Sequence, residues 1–148
     1  MVINMKKIIF LLLFTLILSN ITAFADKPIN VLIDGSPLTA DVPPINTNGR
    51  VLVPLRAISE ALNALVEWNG EEQMITIYNN DKACILTIDN NNVVVIGLED
   101  TTIINLDVPP TIKNDRTLLP IRFFAEFFGC DVDWQSEDAQ DLVVITQN

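Results

Sequence analysis

The chain has 148 residues, of which 19 are acidic and 9 basic, with no histidine and two cysteines. A net charge of −10 repels nucleic acid phosphates and anionic lipid headgroups, so neither is expected as a partner. The missing imidazole excludes Ser–His and Cys–His nucleophiles and removes the usual ligand of catalytic copper and zinc, so no cofactor is expected.

Residues 1–25 read as a signal peptide. Lys6 and Lys7 form a basic start, Ile8 to Leu18 an apolar run, and Ala23-Phe24-Ala25 a small-x-small cleavage site. The expected mature chain, 26–148, is secreted, with the cell wall as a place of association. Without Lys6 and Lys7 it carries 7 basic against 19 acidic side chains, a net charge of −12. No later apolar run approaches the roughly 18 residues of a membrane-spanning helix, so no membrane insertion is expected after cleavage. Cys84 and Cys130 allow two outcomes in an exported protein. They form a disulfide closing a loop of about 45 residues, or they stay as two buried thiols, the preferred reading.

Ile29 to Ile33 predicts a short strand ended by the turn Asp34-Gly35-Ser36-Pro37. Leu38 to Val42 predicts a second strand running into Pro43-Pro44, which lacks the N–H groups a ladder needs and so marks a sheet edge or an exit. Asn48-Gly49 is a tight-turn signal before a strand at Val51 to Val53. Pro54 suits the first helical position. Ile58, Ala61, Leu62 and Leu65 then recur at helical spacing and predict a helix of about three turns with one buried face. Val66 to Trp68 and Met74 to Tyr78 read as strands around Asn69-Gly70, so this half is β-β-β-α-β-β. Cys84 to Ile88 and Val93 to Ile96 flank the turn Asp89-Asn90-Asn91-Asn92, and Thr101 to Leu106 is a further strand.

The stretch Asp41 to Trp68 then occurs again. Asp107 to Trp134 aligns with it at a constant offset of 66, and 12 of the 28 positions are identical. Such spacing predicts an internal duplication, with repeats at about 29–80 and 81–146. In the second copy Asn114-Asp115 replaces the turn and Thr117 to Leu119 the strand. Pro120 opens a helix whose Phe123, Phe124, Phe127 and Phe128 predict deeper packing than in the first copy. Gly129 is its expected C-terminal stop. Asp131 to Trp134 and Leu142 to Thr146 are the closing strands, and the turn beginning at Gln135 carries extra residues. A unit of about 55–60 residues is marginal alone. The expected fold is therefore one α+β domain with pseudo-twofold duplication, in which short antiparallel strands pack with two helices.

Asn48, Arg50, Leu52, Pro54, Arg56, Glu60 and Trp68 in one copy match Asn114, Arg116, Leu118, Pro120, Arg122, Glu126 and Trp134 in the other. This pattern resembles the copper amine oxidase N-terminal domain family over about Ile29 to Thr146. The resemblance implies a small α+β module of exported bacterial proteins, often beside other cell-surface modules. It implies no catalysis, since that stalk domain is separate from the copper and quinone domain. The residues agree, because Tyr78, the only tyrosine, lies in Thr-Ile-Tyr-Asn-Asn and lacks the context of a quinone precursor.

The candidate site residues are thus structural: Arg50, Arg56, Glu60, Trp68, Arg116, Arg122, Glu126 and Trp134. Arg56–Glu60 and Arg122–Glu126 are expected to pair along their helices. Arginine before glutamate is the weaker order, so both arginines are also expected to clamp something off the helix, such as carbonyls near Pro-Pro. Trp68 and Trp134 are expected as core or interface residues, the alternative being stacking on sugar rings. Asp89 to Asn92 and Asp131-x-Asp133 offer oxygens to calcium, but neither has the spacing of a helix-loop-helix calcium site, and solvated turns are preferred. The expected function is a non-catalytic secreted or cell-envelope structural or binding module, with cell-wall glycan or an envelope protein as partner. It is held by short-range contacts that do not weaken as salt rises. The alternatives are a small secreted hydrolase, which needs two carboxylates about 5–10 Å apart, and a specific glycan-binding module.

Overall fold

A computed structural model describes residues 27–80, 82–136 and 139–148. The signal segment expected at 1–25 lies outside them. The first copy runs β1 (Ile29–Ile33), β2 (Ser36–Pro37), β3 (Ile45–Thr47), β4 (Arg50–Pro54), α1 (Leu55–Ala61), β5 (Leu65–Asn69) and β6 (Met74–Asn79). After β7 (Lys82–Thr87), β8 (Asn92–Ile96) and β9 (Thr101–Asn105) come β10 (Thr111–Lys113), β11 (Arg116–Pro120), α2 (Ile121–Phe127), β12 (Asp131–Ser136) and β13 (Asp141–Thr146). The described residues are mostly sheet, with the two expected helices packed among short strands.

The turns set the local geometry. Asn48 and Gly49 have φ of 52° and 77°, and Asn114 and Asp115 have 50° and 57°. Two left-handed residues in succession make the type I′ turn whose twist matches paired strands. Each turn joins a three-residue strand to a five-residue one in corresponding register. Thr47 faces Arg50 and Lys113 faces Arg116. These short partner strands follow Pro-Pro directly. The strand expected at Leu38 to Val42 is not formed: Leu38 donates to the Val31 carbonyl, and the chain has left the sheet before Pro43.

The two hairpins meet in one sheet, ordered β10-β11-β4-β3. In its centre Val53 faces Leu119, Pro54 faces Leu118 and Leu52 faces Pro120. Exchanging the copies at the offset of 66 leaves this register unchanged. Val53 and Leu119 occupy the pivot, and both are fully buried. One face of the pair joins the main core with Val51, while Leu52 and Leu118 pack with Val108 on the other.

The remaining strands interlock the halves. The second sheet is β12-β13-β1-β2 and the third β5-β6-β7-β8-β9. The closing hairpin β12–β13 is thus extended by the opening hairpin of the first copy, through a parallel β1–β13 pair. The closing hairpin of the first copy is extended by β8–β9 of the second, with β7 inserted between. The parallel pair corrects the all-antiparallel expectation. Leu65 faces Tyr78 as Asp131 faces Thr146, and one more pair, Ser136 with Asp141, absorbs the extra residues after Trp134.

Both helices have seven residues, so the first is shorter than the expected three turns. Asn63 turns left-handed with φ 51°, and the Ala64 N–H donates to the Ser59 carbonyl while that of Asn63 donates to Glu60. Gly129 and Cys130 do the same with Glu126 and Ala125. Both ends are therefore Schellman closures, with asparagine taking the place of glycine on the first helix. Leu65 consequently falls on β5, where it is 63% exposed, not on a buried helical face. The aromatic helix is no deeper than its partner. Phe124 is buried, but Phe123, Phe127 and Phe128 are only partly so, whereas Leu55, Ala57, Ile58 and Ser59 are all buried on α1.

Cys84 and Cys130 are buried free thiols, so the disulfide option is not taken. Burial pushes the Cys84 thiol up to about 12, far above the pH at which an open thiol reacts. In the native protein Cys84 should resist alkylation at pH 8 and react only on unfolding, as read by mass. Labelling at the rate of an open thiol would contradict this placement.

Candidate functional site

The ion pairs of the repeated motif run between copies. Arg50 donates through Nε to Asp107 Oδ2 at 2.8 Å, with a second contact from Nη2 to the same oxygen. Arg116 donates to Asp41 Oδ2 from Nε and Nη2, each at 2.6 Å. The two pairs exchange under the offset of 66, so each Asp-Val-Pro-Pro segment is tied to the hairpin of the other copy. The Arg116 hydrogen bond holds the Asp41 carboxyl below its ordinary value. Its contribution to stability is therefore present above the unfolded-state value and lost as pH falls through the lower folded one. Both pairs are substantially exposed, so they serve register more than stability.

The expected pairs Arg56–Glu60 and Arg122–Glu126 are not formed. Among the described residues neither guanidinium makes a hydrogen bond or ion pair, and all four side chains are exposed. The clamp assigned to Arg56 and Arg122 is performed instead by Arg50 and Arg116. The sequence held the signal, an Asp and an Arg nine residues apart in both copies. The helical spacing of Arg56 and Glu60 offered a nearer partner.

Trp68 and Trp134 are 46% and 37% exposed, which corrects their expected burial. Both nevertheless stand on the inner face of their strands. Trp68 faces the fully buried Ile75, and Trp134 faces the buried Val143. But β5 and β12 are the edge strands of their sheets, so each indole lies at the rim of the core.

Two clefts result, one on each copy boundary. The first, of about 220 Å³, is lined by Gly49, Arg50 and Val51 from one copy and Ile121, Arg122 and Trp134 from the other. The second, of about 390 Å³, uses Asp115, Arg116 and Thr117 with Leu55, Arg56 and Trp68. These are the same positions with the copies exchanged. All four arginines of the chain and both tryptophans are thus gathered into two equivalent clefts. Glu60 lines neither; Glu126 lies with Asp107 on an adjoining groove that shares Arg50, Pro120 and Arg122 with the first cleft.

The other candidates are absorbed locally. The Asn90 side-chain oxygen accepts from the Asn92 N–H, and that of Asn92 accepts from the Asn105 side-chain amide. Asp133 accepts from the Trp134 N–H and the Gln135 amide. Tyr78 donates to Glu67 across the outer face of β5 and β6. Among the described residues no three metal-ligating side chains converge, and no helix is long and apolar enough to cross a membrane.

The fold and its clefts define a small, mostly β module with two helices and no evident reaction centre among the described residues. A family model for the copper amine oxidase N-terminal domain matches residues 32–143, and the chain belongs to that family. No curated protein and no solved structure matches the chain significantly.

Proposed function

We propose that this chain is a non-catalytic, secreted module of the cell envelope, built by internal duplication, that acts by binding. The observation that carries the reading is the use of the motif residues. The Asp–Arg pairs register the two copies, while the tryptophans and the other two arginines are left at the surface of two equivalent clefts. Membership of a family named for a stalk domain supports the same reading. A carboxylate hydrolase is less well supported. One cleft is lined by no carboxylate and the other by Asp115 alone, whereas glycosidases converge two. In the groove where Asp107 and Glu126 meet, Asp107 is already bound to Arg50.

Exposed indoles favour glycan over protein as the partner, since an indole face offers a flat apolar surface to a sugar ring. The test is a pull-down of the secreted protein on cell-wall fragments across a salt series. Retention is expected to persist as salt rises, because salt screens the repulsion between a chain of net charge −12 and an anionic wall. Trp68→Ala and Trp134→Ala should stay folded and lose retention. Folded variants that bind like the wild type would overturn the binding reading and leave a scaffold. Intact mass of the same material should place the N-terminus near Asp26; retention of residues 5–25 would overturn the export reading.

A further inference from the structure

We propose that each cleft binds a carboxylate-bearing sugar, with the indole stacked on the ring and the unpaired arginine holding the carboxylate, so that one chain engages two such sugars. This deepens the binding reading above and rests on it. Three observations converge. First, the basic side chains of an acidic chain are unevenly used: all four arginines line the clefts, and only three lysines remain in the described and mature chain. Second, Arg50 and Arg116 are neutralised by Asp107 and Asp41, but Arg56 and Arg122, beside the same tryptophans, have no partner among the described residues. Third, Arg56 and Arg122 stand in the first turn of their helices, which carry no acidic residue there. A cation in that position is unfavourable to the helix. A local rule broken twice, at equivalent places and without an internal partner, marks residues that serve something outside the chain.

The chemistry follows from the pairing of groups. A guanidinium binds a carboxylate through two parallel N–H donors, which fixes its orientation as well as its charge. Salt weakens the Coulombic part of that contact but also the repulsion between chain and wall, and leaves the stacking of the indole, so retention persists. An aromatic face beside it selects a flat, weakly polar surface, which a pyranose ring presents and an extended peptide does not. Volumes of about 220 and 390 Å³ suit one or two rings at each site. On a surface otherwise negative, these clefts are where an acidic sugar meets positive charge, and two of them on one chain make attachment to a polymer bivalent.

The test is calorimetric titration of the full secreted chain with a galacturonic acid tetramer, its methyl ester and a neutral glucose tetramer. The acid is expected to bind at about two sites per chain, and the ester and the neutral sugar roughly tenfold more weakly or worse, the effect of losing one charge-assisted contact. Arg56→Gln and Arg122→Gln should each remove one site, and the double variant both, with thermal stability unchanged because neither side chain holds anything in the fold. Equal affinity for acid and ester, or a double variant that binds like the wild type, would overturn the proposal. So would the absence of binding at millimolar acid. If wall retention survives in that case, the module reading stands without this site. A dipeptide with a free C-terminal carboxylate runs alongside; binding as tight as the tetramer would show that no sugar is recognised.

Discussion

Expressed separately, residues 26–80 and 81–148 should each be unfolded, with far-UV circular dichroism lacking strand signal and amide spectra without dispersion. The reason is more specific than size, although pieces of this length are marginal in any case. Separation leaves β1 without β13, β6 without β7, and β4 without β11. Each piece then exposes at least one strand that is central in the intact sheets, together with the fully buried faces of Val53 or Leu119. Open edges of that kind pair with other chains, so aggregation is the expected companion of unfolding. A folded, monomeric half would show that the interlocked strands are dispensable.

The second large effect is expected at Phe124, the largest fully buried side chain. It stands on α2 with its ring centroid 5.1 Å from that of Phe128 and packs in the core cluster shared by both copies. Phe124→Ala removes its buried surface and leaves a cavity, and should lower stability by about 3–5 kcal/mol in a urea titration. Its counterpart Ile58, also fully buried on α1, should cost about 2–5 kcal/mol as Ile58→Ala. These are large fractions of the ~5–15 kcal/mol that holds an ordinary domain together. Losses below about 1 kcal/mol at both sites would mean that the helices are not part of the common core. Arg56→Gln supplies the contrast, an exposed substitution expected to stay within about 0.5 kcal/mol.

Much of this was legible in the sequence, for local reasons. The turn at Asn48-Gly49, the hairpin around Asp89 to Asn92, the stop at Gly129 and the repeat itself depend on residues close in the chain or on a fixed offset. The misreadings have physical causes of three kinds. Periodicity ran on through Leu65 because asparagine at position 63 closes the helix as a glycine would, and asparagine is a weaker stop signal. The position of the tryptophans on strands suggested core or interface residues, but whether a strand is central or at an edge is a property of the assembled sheet. The Arg56–Glu60 pairing failed because proximity along a helix is only an opportunity. The partners that do pair, Arg50 with Asp107 and Arg116 with Asp41, lie 57 and 75 residues apart and meet only once the two hairpins share a register. The clefts belong to the same class: their lining comes from both copies, so one copy read alone contains no cleft.

The claim on which all of this depends is that the two copies form one cooperative body. Scanning calorimetry of residues 26–148 tests it most directly. A single transition, with calorimetric and van't Hoff enthalpies in a ratio of about one, is the result expected of interlocked sheets and a shared core. Two resolved transitions would mean that each copy folds by its own contacts, and would contradict the exchanged hairpins and the clefts built between them.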